Sequence, residues 1–171
     1  MLRVLIVGYG NPLRGDDGLG WEAAARLAGT LSDPSIEIRA VHQLTPDLAE
    51  AASRAETVIF IDASCDNGEE DENNQNGVIS RRIAPDSFSP QAFSHRLTPE
   101  VVLGMAQALY GAAPKGFLVT LPGRSFEFGE GLSPAISAAL TALINRVSEI
   151  AGGQAPLGNE AHDEKAQDNR R

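Results

Sequence analysis

The sequence predicts an α/β protein, a three-layer sandwich in which a mainly parallel, twisted sheet of about five strands lies between helices. Three observations carry this reading. Short apolar runs at residues 4–7, 57–61 and 117–121 have the length and continuity of strands buried on both faces. Segments of helical periodicity stand between the strand-like runs, and such alternation with right-handed crossovers stacks strands in parallel. A body of roughly 150 residues is large enough to bury its own core.

Each element has its own signal. Residues 4–7, Val-Leu-Ile-Val, form an apolar run that stops at Gly8. A Gly-rich loop follows. Trp21, Ala24, Ala25 and Ala28 then recur at helical spacing, predicting a helix over about 18–31. Ile36, Ile38 and Ala40 alternate with Glu37, Arg39 and Val41, as in a second strand. Thr45-Pro46-Asp47 supplies an N-cap, a proline at the first helical position and an acid in the first turn. Residues 57–61 are a third strand ending at Asp62, and residues 78–83 a fourth. Arg81 and Arg82 make the fourth hard to bury and place it near an edge.

Pro85 and Pro90 interrupt any period between Ala84 and Arg96. Thr98-Pro99-Glu100 opens a helix with Val101, Met105, Ala108 and Leu109 on one face, and residues 117–121 are a fifth strand. Ser133-Pro134 opens the last helix, whose expected buried stripe is Ile136, Leu140, Leu143, Val147 and Ile150. The domain is expected to span 1–151. Residues 152–171 contain almost nothing apolar and are expected to form a disordered polar tail.

Charge and composition narrow the function. Acids outnumber bases 23 to 14, a net charge of −9, which argues against a nucleic-acid partner because phosphate binding needs clustered Lys and Arg. No apolar run approaches the roughly 18 residues of a membrane span. The opening apolar stretch is too short for a signal peptide and lacks a small-residue cleavage site. The single cysteine, Cys65, excludes an internal disulfide and a multi-thiolate zinc site, which fits a reducing, cytoplasmic setting. Cys65 itself is expected to be a small, partly buried filler, with a site role left open by its position near Asp62. Asp66, Glu69, Glu70, Asp71 and Glu72 supply five of the nine net negative charges within an Asn-rich run. That run is either a solvated insertion or a charged lip beside the site, suited to a basic partner surface.

In an open α/β sheet, ligands bind at the carboxyl ends of the strands. Three segments bring candidate groups there. The loop after the first strand is Gly8-Tyr9-Gly10-Asn11-Pro12-Leu13-Arg14-Gly15-Asp16-Asp17-Gly18-Leu19-Gly20, the third strand ends at Asp62, and the loop after the fourth holds His95. The first loop is not a dinucleotide fingerprint, because Leu13 stands where the third glycine belongs and Val41-His42-Gln43 where a ribose-binding acid belongs. Nor is it a P-loop, because Asp16-Asp17 replaces the Lys-Ser/Thr pair. Two carboxylates at a helix start repel phosphate and attract a cation, though either could simply cap the helix. Asp62 could equally bond turn backbone. Arg14 is a solvated loop residue or a clamp for a substrate carboxylate. Two carboxylates and an imidazole together make an O, O, N ligand set that leaves metal positions open. No zinc-protease helix and no serine-nucleophile elbow is present.

These segments, with Ile59-Phe60-Ile61-Asp62-Ala63, Ser94-His95-Arg96-Leu97, Gln43-Leu44-Thr45-Pro46 and Gly131-Leu132-Ser133-Pro134, resemble the nickel–iron hydrogenase maturation endopeptidases from residue 1 to about 151. The resemblance implies removal of a short C-terminal extension from the hydrogenase large-subunit precursor once nickel has been inserted. Cleavage lets that subunit close around its metal centre and join the small subunit. The family's fold is a twisted sheet between helix layers, and its acid–acid–imidazole triad maps onto Asp17, Asp62 and His95, as both metal-binding and catalytic groups. Asp16 is a possible substitute ligand. The metal would be nickel brought by the precursor, and no organic cofactor is expected. The chain is expected to act as a monomer. A non-enzymatic nickel-binding chaperone for the same precursor would use the same residues. The long acidic loop after Asp62 and the polar tail depart from the family pattern and bear on specificity.

Overall fold

The computed structural model describes residues 2–65, 77–87 and 97–153. The strands are β1 (Leu2–Tyr9), β2 (Ile36–Val41), β3 (Ala55–Ser64), β4 (Ile79–Ile83) and β5 (Lys115–Pro122). The helices are α1 (Leu19–Thr30), α2 (Leu48–Ser53), α3 (Pro99–Tyr110) and α4 (Pro134–Ala151), and a 3-10 turn, Gly15–Gly18, precedes α1. The sheet order is β2-β1-β3-β5-β4, parallel throughout except for β4, which runs antiparallel at the edge. The three-layer α/β sandwich predicted from the sequence is the observed fold. Arg81 and Arg82 of β4 are exposed, and Arg81 pairs with Glu100 at 3.0 Å, consistent with the edge position.

The chain leaves β1 toward β2, then recrosses to β3 on the other side. Constant crossover handedness therefore puts α1 and α2 on opposite faces. On one face, Val4, Ile6, Ile59, Ile61, Val119 and Leu121 pack under Leu19, Ala23 and Leu27 of α1 and the Ile136–Ile150 stripe of α4. On the other, Leu5, Val7, Val58 and Phe60 pack under Leu48, Ala51 and Ala52 of α2 and Val102, Leu103 and Ala106 of α3. Strand alternation explains the division, since successive side chains point to opposite faces. Among the described residues, no helix is long and apolar enough to cross a membrane.

The α4 stripe is the one predicted, but two other helix faces are not. In α1 the buried residues are Leu19, Gly20, Ala23, Ala24 and Leu27, while Ala25 and Ala28 are exposed. Gly20 sets this rotation. A Cβ there would meet the backbone of Tyr9 and lie 2.7 Å from the Ile61 carbonyl oxygen, so this point of the helix rests directly on β1 and β3. Gly8 answers it from β1, where a Cβ would collide with the Gly20 carbonyl. Trp21 turns aside to bond the Val41 carbonyl oxygen through Nε1 at 2.9 Å.

In α3, Val102, Leu103, Met105 and Ala106 are buried, whereas Ala108 and Leu109 are exposed. Gly104 packs against the Asp86 backbone, and that contact, not the apolar count, orients the helix. α3 opens at Thr98-Pro99 as predicted, and Thr98 caps it, its Oγ1 accepting from Val101 N–H at 3.3 Å. The helix expected to begin after Thr45 starts three residues later at Leu48. Thr45 and Pro46 accept turn bonds from Leu48 and Ala49 through their carbonyls, and no side-chain cap is made.

Because the obstacle at Gly20 is backbone from two strands, Gly20→Ala should destabilise the fold by ~3 kcal/mol, the upper end for forcing a methyl into a packed interior. Urea unfolding should show this as a lowered midpoint with an unchanged slope. The exposed Gly29, which has open space around it, should tolerate the same change.

Candidate functional site

The order β2-β1-β3 creates a switch point between β1 and β3, where the chain departs in opposite directions and a crevice opens at the carboxyl edge. The loop after β1 fills this place by folding back on itself. Gly10 has φ 135° and donates its N–H to the Val41 carbonyl at 3.1 Å, and a Cβ there would strike the Asp17 carbonyl. Asn11 donates its N–H to Asp17 Oδ2 at 2.8 Å and accepts from Leu13 N–H at 2.9 Å. The glycine thus lets the loop close on the 3-10 turn that carries Asp17.

Asp62 arrives from β3, inside the strand and not beyond its end. It alternates with buried Ile61 and Ala63, so it points to the α2–α3 face, level with Thr120 of β5. Its Oδ1 accepts from the Ala63 N–H at 2.8 Å. The Gly20 contact brings the two acids to one stretch of edge. Gly20 abuts Tyr9 and Ile61, Asp17 lies three residues before it, and Asp62 immediately follows Ile61. Both carboxylates are half-buried, open enough to meet a docked ligand. Such oxygen donors suit a divalent cation or the activation of a water molecule.

His95 lies outside the described residues, as do the acidic run 66–76, the tail from 154 onward and His162 within it. Among the described residues, no group of three His, Cys, Asp or Glu side chains could hold a metal ion. The described chain next to His95 is Leu97, packed with the α2–α3 core, and Thr98, the cap of α3. Since only four residues separate the end of α3 from the amino end of β5, its own amino end points back toward the carboxyl edge.

The remaining candidates resolve differently. His42 follows β2 at the same edge, is exposed, and lies against Trp21 with ring centroids 4.9 Å apart. Cys65 is exposed, contrary to the partly buried filler expected, because it stands one residue beyond β3. Arg14 is exposed and donates through Nε to the Phe126 carbonyl at 3.4 Å, as a loop residue.

Asp16 is the residue that sequence reasoning misjudged. It is 0% exposed. Its Oδ2 accepts from the N–H groups of Arg124 at 2.7 Å and Ser125 at 3.0 Å and from the Ser133 hydroxyl at 2.9 Å, while Oδ1 accepts from Ser133 N–H at 2.7 Å. With both oxygens committed, Asp16 is neither a helix cap nor a substitute ligand. Ser133, which with Pro134 opens α4 as expected, makes no side-chain cap bond and gives its hydroxyl to Asp16 instead. The sole sequence hint was the Gly131-Leu132-Ser133-Pro134 segment, whose partner was out of sight.

Solved structures share this fold. They include a NiFe hydrogenase maturation protease HycI from Thermococcus kodakarensis, 24% identical, with a TM-score of 0.65, covering 88% of this chain and 92% of that one. The hydrogenase maturating endopeptidase HybD from E. coli is 22% identical, with a TM-score of 0.64, over 89% and 94% of the two chains. An endopeptidase from Escherichia coli is 26% identical, with a TM-score of 0.59, over 85% and 90%. The chain therefore has the fold of the hydrogenase maturation proteases across nearly their whole length. No protein-family model matches the chain, and no curated protein does.

Burial pushes the Asp16 carboxyl up, but the hydrogen bonds from Ser133, Arg124 and Ser125 outweigh it and hold it below the ordinary value of 3.8. Its ionised form therefore stabilises the fold fully above about pH 4, and this is lost as pH falls through the lower folded-state value. Asp16→Asn should flatten the acid side of a Tm-against-pH curve and lower the neutral-pH stability by ~1–3 kcal/mol, the cost of leaving a buried donor unpaired. Thermal unfolding from pH 2 to 7 measures both.

Proposed function

We propose that this protein is an endopeptidase that removes the C-terminal extension of a nickel–iron hydrogenase large-subunit precursor after nickel insertion. The observation that carries the reading is the shared fold with hydrogenase maturation proteases. Two half-buried carboxylates at its switch point, Asp17 and Asp62, add to it, the two acids onto which the sequence resemblance maps the family's triad.

In this reading nickel is part of the substrate. Thiolates of the precursor hold it, and Asp17, Asp62 and His95 meet its remaining positions, a borderline metal that accepts both carboxylate and imidazole donors. Without nickel, the three groups have nothing to converge on, so docking tests whether the precursor is loaded. Bound nickel can polarise the scissile carbonyl or a water. A carboxylate of the edge takes the proton from the attacking water, which adds to the carbonyl carbon, and passes that proton to the amide nitrogen, which leaves as the new amine. The partner is the precursor, met by a monomer in the cytoplasm.

Incubation with nickel-loaded and nickel-free precursor, followed by intact-mass measurement, tests this directly. Only the loaded precursor should lose its C-terminal peptide. Asp62→Asn or His95→Ala should slow the loss by about a hundredfold or more, the usual worth of a general acid–base group, with the fold retained. Equal trimming of both precursors would sink nickel recognition. An unchanged mass with the unaltered protein would mean a chaperone and not a peptidase.

A further inference from the structure

We propose that Asp16 is a positioning residue: it locks the loop after β1 to the loop between β5 and α4, and so holds Asp17 in place at the carboxyl edge. Four donors converge on its carboxylate, and all come from residues more than a hundred positions away in the chain. The backbones of the two loops are laced together at the same place. Asp16 N–H donates to the Ser125 carbonyl at 2.8 Å, Gly15 N–H to the Gly129 carbonyl at 2.9 Å, and Gly129 N–H to the Leu13 carbonyl at 2.9 Å. Gly15, at φ 53°, admits the close pass, since a Cβ there would stand 2.6 Å from the Ser125 carbonyl oxygen.

The next residue faces elsewhere. Asp17 N–H donates to the Arg14 carbonyl at 3.1 Å, and its carboxylate accepts from Asn11 N–H at 2.8 Å. Successive side chains of a 3-10 turn diverge by about 120°. Anchoring one of them in the interior therefore fixes the direction of the other. Carboxylate chemistry is required at Asp16. Asparagine has the same shape, but one of its two ends is a donor, so at least one N–H that faces it is left opposed by another N–H.

The mechanical part of this proposal is independent of the peptidase reading; its kinetic consequence rests on that reading. Amide hydrogen exchange of the full chain tests the mechanical part, using Asp16→Asn, Ser133→Ala and, as a distant control, Asp33→Asn. In Asp16→Asn, exchange at Arg124, Ser125 and Ser133 should rise about tenfold or more. The amides of Asn11 and Asp17 should speed up with them, while those of β1 and β3 stay protected. Ser133→Ala removes one of the four donors and leaves the carboxylate, so it should show the same pattern more weakly. It decides the matter if Asp16→Asn does not fold. Parent-like exchange at Asn11 and Asp17 beside a loosened 124–133 loop would overturn the proposal, because Asp16 would then staple only the far loop. Asp33→Asn should change neither set, and loosening at Asn11 and Asp17 in that variant would also overturn it.

With nickel-loaded precursor, Asp16→Asn should lower kcat about tenfold with KM held within about twofold. A loss confined to KM would count against positioning. Failure of the unaltered protein to cleave would overturn the peptidase reading alone, and the exchange pattern would still decide the role of Asp16.

Discussion

At the amino end of α1 the helix backbone lies on the backbones of β1 and β3 with no side chain between them. Gly20 and Gly8 make this possible, and the rest of the edge is arranged around it. The contact sets the rotation of α1, which sends Leu19, Ala23 and Leu27 into the core and swings Trp21 sideways onto Val41 and His42. It also determines where the preceding turn must stand. The loop from Gly10 to Gly18 has to close within a few residues, and it does so by passing Gly10 under the Asp17 carbonyl and Gly18 beside Pro12. Close backbone packing is therefore what carries a surface carboxylate to the end of a neighbouring strand.

A buried charge completes the arrangement. An isolated carboxylate taken out of water would protonate or destabilise the fold. Asp16 stays ionised because four hydrogen-bond donors replace its lost hydration. The two loops of the edge thus share one polar core beneath an otherwise solvated surface. Of the two adjacent acids, one thus faces inward to the second loop and the other lies half-buried at the edge.

Much of the fold was legible because the physics that forms it is local. Apolar runs of strand length marked β1, β3 and β5, and the two arginines of β4 marked an edge. The stripe of α4 was legible because large aliphatic residues at a 3.6 period leave one way to face. The faces of α1 and α3 were not. Alanine is apolar on every side of α1, so the period has no direction to report, and glycine contacts with distant backbone decide it. The late start of α2 has a similar cause, because Thr45 and Pro46 are used in a turn before the helix begins.

The candidate site divides along the same line. By itself the sequence determined that an acid pair follows β1 and that another acid, Asp62, stands near the end of β3, because strand patterns and a glycine-rich loop are written in consecutive residues. Apart from the family resemblance, which favours Asp17, it could not say which of Asp16 and Asp17 serves which purpose. The two are chemically identical and adjacent, and both begin a helical segment. Only the tertiary structure decided that Asp16 points inward to Arg124, Ser125 and Ser133 while Asp17 remains half-exposed at the edge. The physical reason is that a carboxylate's role is set by the donors around it, and here those donors come from the far end of the chain.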